Sequence, residues 1–185
     1  MEKLLFRGPF TFHTVPTSDL ADAECIYIWT FRQFSGDHLI HYIGETANFA
    51  KRQREHLASI FGLYYGIWDG AKALEGNSII LWPGFWRLKG GKDIGDAFTA
   101  YSALNRKILE YANSITIFAA QTSLEQSTRK HIEGTIAWTL RNSFPEHKKF
   151  YPVDNRTGRK PEKLGMSTQI QTKGNILGLP HEIAY

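Results

Sequence analysis

Cys25-Ile26-Tyr27-Ile28-Trp29-Thr30-Phe31 and Leu39-Ile40-His41-Tyr42-Ile43 are the two stretches that set the architecture of this chain. Both are dense in β-branched and aromatic residues, which suit a pleated, half-buried surface. Ser35-Gly36-Asp37 between them supplies turn chemistry, so the pair reads as a β-hairpin with an enlarged turn over Arg32–Asp37. Past Gly44 the spacing changes. Phe49, Gln53, Leu57 and Ile60 recur on one helical stripe, with Asn48 placed to cap it.

Working outward, residues 4–15 alternate loosely and read as a strand interrupted at Gly8-Pro9. Residues 62–92 hold eight glycine and proline breaks and one short strand, Ser78–Trp82. Asp96–Asn113 returns to helical spacing, with Phe98, Tyr101, Leu104 and Ile108 on one face. Ser114–Ala120 reads as a strand. Thr122 and Ser123 stand three residues before Glu125 and Gln126, so a capping box starts the next helix in either register. Its stripe is Leu124, Ile132, Ile136 and Leu140, and from Pro145 onward the chain reads as loop. The order strand, strand, helix, helix, strand, helix predicts an α+β domain.

A known family carries this order with a specific set of residues. Cys25-Ile26-Tyr27 stands where the GIY motif is expected, and Tyr42-Ile43-Gly44 matches YIG outright. Arg52 follows the second tyrosine by ten residues, His56 lies four further on, and Glu133 sits in a helix after a third strand. With these residues the chain resembles the GIY-YIG nucleases, closely over about 24–61 and more loosely over 114–155. The resemblance implies a small mixed or antiparallel three-stranded sheet flanked by helices, with an N-terminal strand, an insertion at about 62–92 and a C-terminal extension at about 156–185. All of this would form a single domain over 1–185. It further implies a metal-dependent endonuclease, restriction-type or a phage or repair nuclease, using Mg²⁺ or another divalent cation such as Mn²⁺. The implied catalytic residues are Tyr27, Tyr42, Arg52, His56, Glu133 and Asn155, with Glu133 the metal ligand and Asn142 the rival to Asn155. Cys25 departs from the family glycine, and fifteen residues separate the tyrosines, more than is usual.

Elementary chemistry favours the same residues. Cutting a phosphodiester needs a positioned water, a proton acceptor and positive charge near the phosphorane. Arg52 and His56, one helical turn apart, share a face, and the arginine offers a forked permanent donor to phosphate. Glu133 suits Mg²⁺, which keeps several waters and few protein carboxylates. A phenol is a weak base alone, and a neighbouring arginine or metal ion stabilises its ionised form. Each residue also has a plainer reading. The tyrosines are ordinary strand aromatics, Arg52 belongs to a charged helix face, His56 is a hydrogen-bonded core residue, and Glu133 pairs with Arg129 one turn back. The ordered combination favours the site.

Bulk properties set outer limits. The chain has 185 residues, 42% of them hydrophobic and 22% charged, a net charge of +4 and a pI near 9.1, which permits nucleic acid as partner without demanding it. Lys148, Lys149, Arg156, Arg159, Lys160 and Lys163 face only Asp154 and Glu162, so this segment carries an excess of four positive charges, as much as the whole chain. It is the predicted phosphate-binding strip, DNA being the expected partner. Trp68, Trp82, Trp86, Arg87, Lys89 and Lys92 mix stacking and basic groups suited to a groove, or else pack the core. The single cysteine excludes an intramolecular disulfide and a zinc finger. A cytoplasmic location is expected, with no membrane span and no signal peptide. A strand-pair cutter would act as a dimer or twice. The alternative function is a non-catalytic nucleic-acid-binding module on the same scaffold.

Overall fold

The computed structural model describes residues 2–85, 94–143 and 165–184. The elements are β1 (Glu2–Phe10), a 3-10 turn (Val15–Thr17), β2 (Cys25–Arg32), β3 (His38–Thr46), α1 (Phe49–Phe61), β4 (Ile67–Trp68), α2 (Gly70–Leu74), β5 (Ile80–Trp82), α3 (Ile94–Ser114), β6 (Ile115–Gln121), α4 (Gln126–Ser143), β7 (Ser167–Thr172), β8 (Ile176–Leu177) and β9 (Glu182–Ala184).

The expected hairpin forms, with Tyr27 opposite Gly44 and Trp29 opposite Tyr42. Between Trp29 and Thr30 the register slips by one, because Thr30 faces Ile40 and His41 becomes the extra residue of a β-bulge. Two consecutive side chains, His41 and Tyr42, consequently reach the same face and both contact the Trp29 ring.

The predicted sheet size is wrong. Instead of three strands the described residues form a sheet of seven, in the order β8-β3-β2-β6-β1-β7-β9, curled into a half-barrel and accompanied by four helices. The three expected strands, β3, β2 and β6, are contiguous and antiparallel within it. Beyond them β1 adds antiparallel to β6, β7 adds parallel to β1, and β8 adds parallel to β3. The strands β7, β8 and β9 occupy the region read as loop. They are short and polar on one side, and β7 finds its partner β1 more than 160 residues away in sequence. Local pattern carries no information about such a pairing.

The sheet separates two cores. On one face Tyr27, Trp29, Phe31 and Leu39 pack with Phe49 and Ile60 of α1, Ala73 of α2, and Ile108 and Tyr111 of α3. On the other face Ile26, Ile28, Ile40, Ile43 and Phe118 meet Ile132, Ile136 and Leu140 of α4. Each such aliphatic side chain contributes roughly 1.5–3 kcal/mol by leaving water. Asn48 caps α1 as predicted, its side-chain oxygen accepting from the Lys51 N–H at 2.9 Å. The start of α4 differs from expectation. Thr122 Oγ1 accepts from the Leu124 N–H at 3.2 Å, a local turn that delays the helix to Gln126.

Candidate active site

Four of the six predicted catalytic residues meet on the α1 face of the hairpin. Tyr27 is delivered by β2, Tyr42 by β3, and Arg52 and His56 by α1. The Tyr27 and Tyr42 ring centroids lie 6.0 Å apart, and the His56 ring is 5.7 Å from Tyr27 and 5.4 Å from Tyr42. Tyr27 Oη is 2.5 Å from His56 Nε2. The Arg52 guanidinium and the Tyr42 phenol lie close enough to Tyr27 to act on its ionisation, in opposite directions.

Gly44 explains how the rings come so close. It sits directly across from Tyr27, whose phenol lies over the Gly44 backbone. A Cβ there would meet the Tyr27 Oη, lie 2.5 Å from its Cζ and 2.9 Å from Tyr42 Cε1. The third residue of the YIG motif is thus a space kept for the tyrosine of the other motif.

The site is dry at its base and open at its rim. Tyr27 is fully buried and His56 almost so, whereas the Arg52 side chain is 37% exposed and also donates to Glu55 Oε2 at 3.0 Å. Burial raises the Tyr27 phenol well above its ordinary value. Nearby Tyr42 adds to this, and Arg52 only partly offsets it. Burial likewise pushes Tyr42 up to about 12, with Glu133 contributing. Desolvation outweighs the arginine at both phenols, so Arg52 alone does not hold a phenolate there. Burial, followed by the Arg52 charge, holds His56 well below its ordinary value, so its imidazole is neutral.

Glu133 comes from α4, which packs on the other face of the sheet, and its charge is felt at Tyr42. Its carboxylate is raised to about 7 by burial and by Glu45, while Arg52 lowers it. The backbone N–H of Glu45 also supports it. The plainer reading of Glu133 as partner of Arg129 does not hold. Buried Arg129 pairs instead with Glu24 and, at 3.1 Å, with Glu45. Among the described residues Glu133 forms no salt bridge.

A half-buried carboxylate beside a second carboxylate and short of a cation is suited to a hard divalent ion, and Glu133 fits the Mg²⁺ or Mn²⁺ expectation in that respect. No group of three or more His, Cys, Asp or Glu side chains that could hold a metal occurs among the described residues, so the contribution these residues would make is sparse and rests on Glu133. Mg²⁺ sites commonly have this character, with water and phosphate supplying the remaining ligands.

Asn155 and the basic residues Lys148, Lys149, Arg156, Arg159 and Lys160 lie outside the described residues. Asn142, the rival, is exposed at the end of α4, and its amide donates to the Trp138 carbonyl at 2.7 Å. Trp68 and Trp82 are buried core residues, which rules out the stacking role considered for them, while Trp86, Arg87, Lys89 and Lys92 lie outside the described residues. Two participants escaped sequence reasoning. Tyr65 Oη is 3.0 Å from His56 Nδ1, and Glu45 adjoins Glu133. Glu45 could have been suspected from its place directly after the YIG motif, but Tyr65, in a glycine-rich stretch, carried no signal.

No helix among the described residues is long and apolar enough to cross a membrane. No family model matches the chain, and neither a curated protein nor a solved structure matches it.

Proposed function

We propose that this chain is a metal-dependent endonuclease that hydrolyses a phosphodiester bond in nucleic acid, with DNA as substrate. The observation that carries the reading is the meeting of Tyr27, Tyr42, Arg52 and His56 from three elements, with Glu133 joined to them electrostatically from a fourth. Tyr27, Tyr42, Arg52 and His56 gather at one site with Arg52 at its exposed edge, and the charge of Glu133 is felt there from another element. The site is open where a phosphate would arrive and closed where a proton would be passed.

The chemistry follows from the geometry. Arg52 holds a phosphate oxygen through its fork. Its surface pairing with Glu55 is worth well under about 1 kcal/mol, so an incoming phosphate displaces it readily. Tyr27, with its own O–H directed at His56 Nε2, offers lone pairs to the attacking water. As the water oxygen bonds to phosphorus, its proton passes to Tyr27 Oη while the Tyr27 proton passes to His56 Nε2. Neither phenol has to be ionised beforehand, in keeping with the burial that opposes phenolate. Negative charge building on the phosphorane makes the imidazolium less costly. Glu133 would hold the divalent ion, which when bound supplies charge stabilisation to the phosphate and the leaving oxygen.

The test is nicking of supercoiled plasmid across a Mg²⁺ titration by the wild type and by Glu133→Gln, with thermal melts of both. The variant keeps volume and helix propensity and removes the charge. Cleavage should fall at least about a hundredfold, an activation difference of about 2.7 kcal/mol, with binding retained. A folded variant that nicks at the wild-type rate with unchanged Mg²⁺ dependence removes Glu133 from the site. A wild type without nicking on DNA or RNA overturns the nuclease reading itself.

A further inference from the structure

The stretch after α1 holds one side chain in a position that the motif residues do not explain. Leu63 adopts φ +59°, a left-handed conformation that a leucine enters at a cost of about 1–2 kcal/mol. It is held there from two sides. The Trp82 indole N–H donates to the Leu63 carbonyl at 2.8 Å, and the Phe85 backbone N–H donates to the same oxygen at 3.1 Å. Gly84, at φ +90°, backs onto this turn so closely that a Cβ would lie 2.8 Å from the Tyr64 carbonyl oxygen and 2.9 Å from the Tyr65 carbonyl carbon. The turn is over-determined, and what it presents to the site is Tyr65. That side chain is half-buried, with its ring 5.6 Å from the His56 ring and its hydroxyl on His56 Nδ1.

Neutral imidazole has one N–H and one lone pair, so its two hydrogen bonds must run in one direction. Either Tyr27 donates to Nε2 and Nδ1–H donates to Tyr65, or Tyr65 donates to Nδ1 and Nε2–H donates to Tyr27. The two states are opposite in consequence. The first turns the lone pairs of Tyr27 toward the substrate side, and the second spends one of them on His56 and leaves Nε2 unable to take a proton. The Arg52 charge acts on both Tyr27 and His56, and Tyr27 Oη is the atom on Nε2, so the guanidinium disfavours an N–H dipole at Nε2 and favours one at Nδ1. That hydrogen then needs an acceptor in a buried place, and Tyr65 Oη is the atom 3.0 Å away.

We propose that Tyr65 is a positioning residue that locks His56 in its Nδ1–H tautomer, so that the chain of hydrogen bonds runs from Tyr27 through His56 to Tyr65. Its catalytic consequence rests on the nuclease reading above; the tautomer itself does not. The segment read from sequence as an insertion is on this account part of the active-site machinery.

The experiment reads the His56 imidazole ¹⁵N signals of the whole chain by long-range ¹H–¹⁵N correlation, without nucleic acid, assigned with His56→Gln. Wild type should show the Nδ1–H tautomer. Tyr65→Phe keeps the ring that packs on His56 and removes only the acceptor, so the signals should move to the Nε2–H form or to a mixture. Plasmid nicking by the same variant should lose roughly tenfold or more in kcat with KM nearly unchanged, the scale of one buried donor left unpaired. An Nε2–H tautomer in wild type overturns the proposal, and so does a tautomer that Tyr65→Phe leaves unmoved. If the tautomer behaves as stated and wild type does not nick, the nuclease reading has failed and the catalytic consequence falls with it.

Discussion

Gly44→Ala tests the geometry of the site without assuming any activity. Gly44 has ordinary backbone angles, so alanine is conformationally acceptable there and the whole effect is steric. The new Cβ would lie 2.5 Å from Tyr27 Cζ and 2.9 Å from Tyr42 Cε1, far inside van der Waals contact. Tyr27 has nowhere to retreat, being fully buried between Phe49, Tyr42 and His56. Overpacking of this kind costs about 1–3 kcal/mol. Displacement of the ring also breaks the 2.5 Å contact with His56, which adds about 1 kcal/mol. With an unfolding entropy of about 2.1 cal/mol/K per residue over 185 residues, a loss of about 2–4 kcal/mol lowers Tm by about 5–10 °C. Thermal melts followed by circular dichroism read this directly. Gly134→Ala is the control. Its Cβ meets nothing within 4 Å in the middle of α4, so helix propensity should stabilise the protein by about 0.5–1 kcal/mol. A Gly44→Ala protein that melts within about 2 °C of wild type would show that Tyr27 does not lie across Gly44, and the site geometry would be refuted.

His56 gives a pH signature. Its folded pKa lies below the unfolded value of about 6.5, so its contribution to stability is complete above pH 6.5 and is lost as pH falls toward the folded pKa, by up to about 1.4 kcal/mol per pH unit. Glu133, raised to about 7, acts in the opposite sense over the same range, so the quantity to measure is the difference in urea stability between wild type and His56→Gln from pH 7.5 to 5. A pH-independent difference would mean that His56 is not held neutral. Arg129→Met leaves Glu45, 8% exposed, as an uncompensated buried carboxylate and should cost about 3–5 kcal/mol in urea unfolding; a loss below 1 kcal/mol would make that ion cluster incidental. Changing Arg156, Arg159 and Lys160 together to alanine should reduce the slope of log K against log salt for DNA binding by about 0.9 per lost phosphate contact, and an unchanged slope would remove that segment from the interface.

What the sequence determined by itself is local. Alternation and turn chemistry specified the hairpin of Cys25–Arg32 and His38–Thr46, because strand pairing across a short connection is written in neighbouring residues. Helical period and the Asn48 cap specified α1, and so placed Arg52 and His56 one turn apart. Tyr27 and Tyr42 were likewise legible as able to share one face of the paired strands, and the register places them there as diagonal neighbours. Only the tertiary structure decided the rest. β1 was legible as a strand but its neighbours were not, and β7 and β8 pair with edges that no local pattern identifies, because those contacts join the C-terminal segment to β1 and β3. His41 joins Tyr42 on the site face through a bulge that the even alternation of the strand does not announce. Glu45 draws Arg129 away from Glu133, so the ion pair suggested by i and i+4 spacing gives way to one across elements. Protonation, too, was beyond the sequence. Proximity to Arg52 argued for an ionised phenol, but how much water each group loses is a property of packing, and at Tyr27 that loss outweighs the charge.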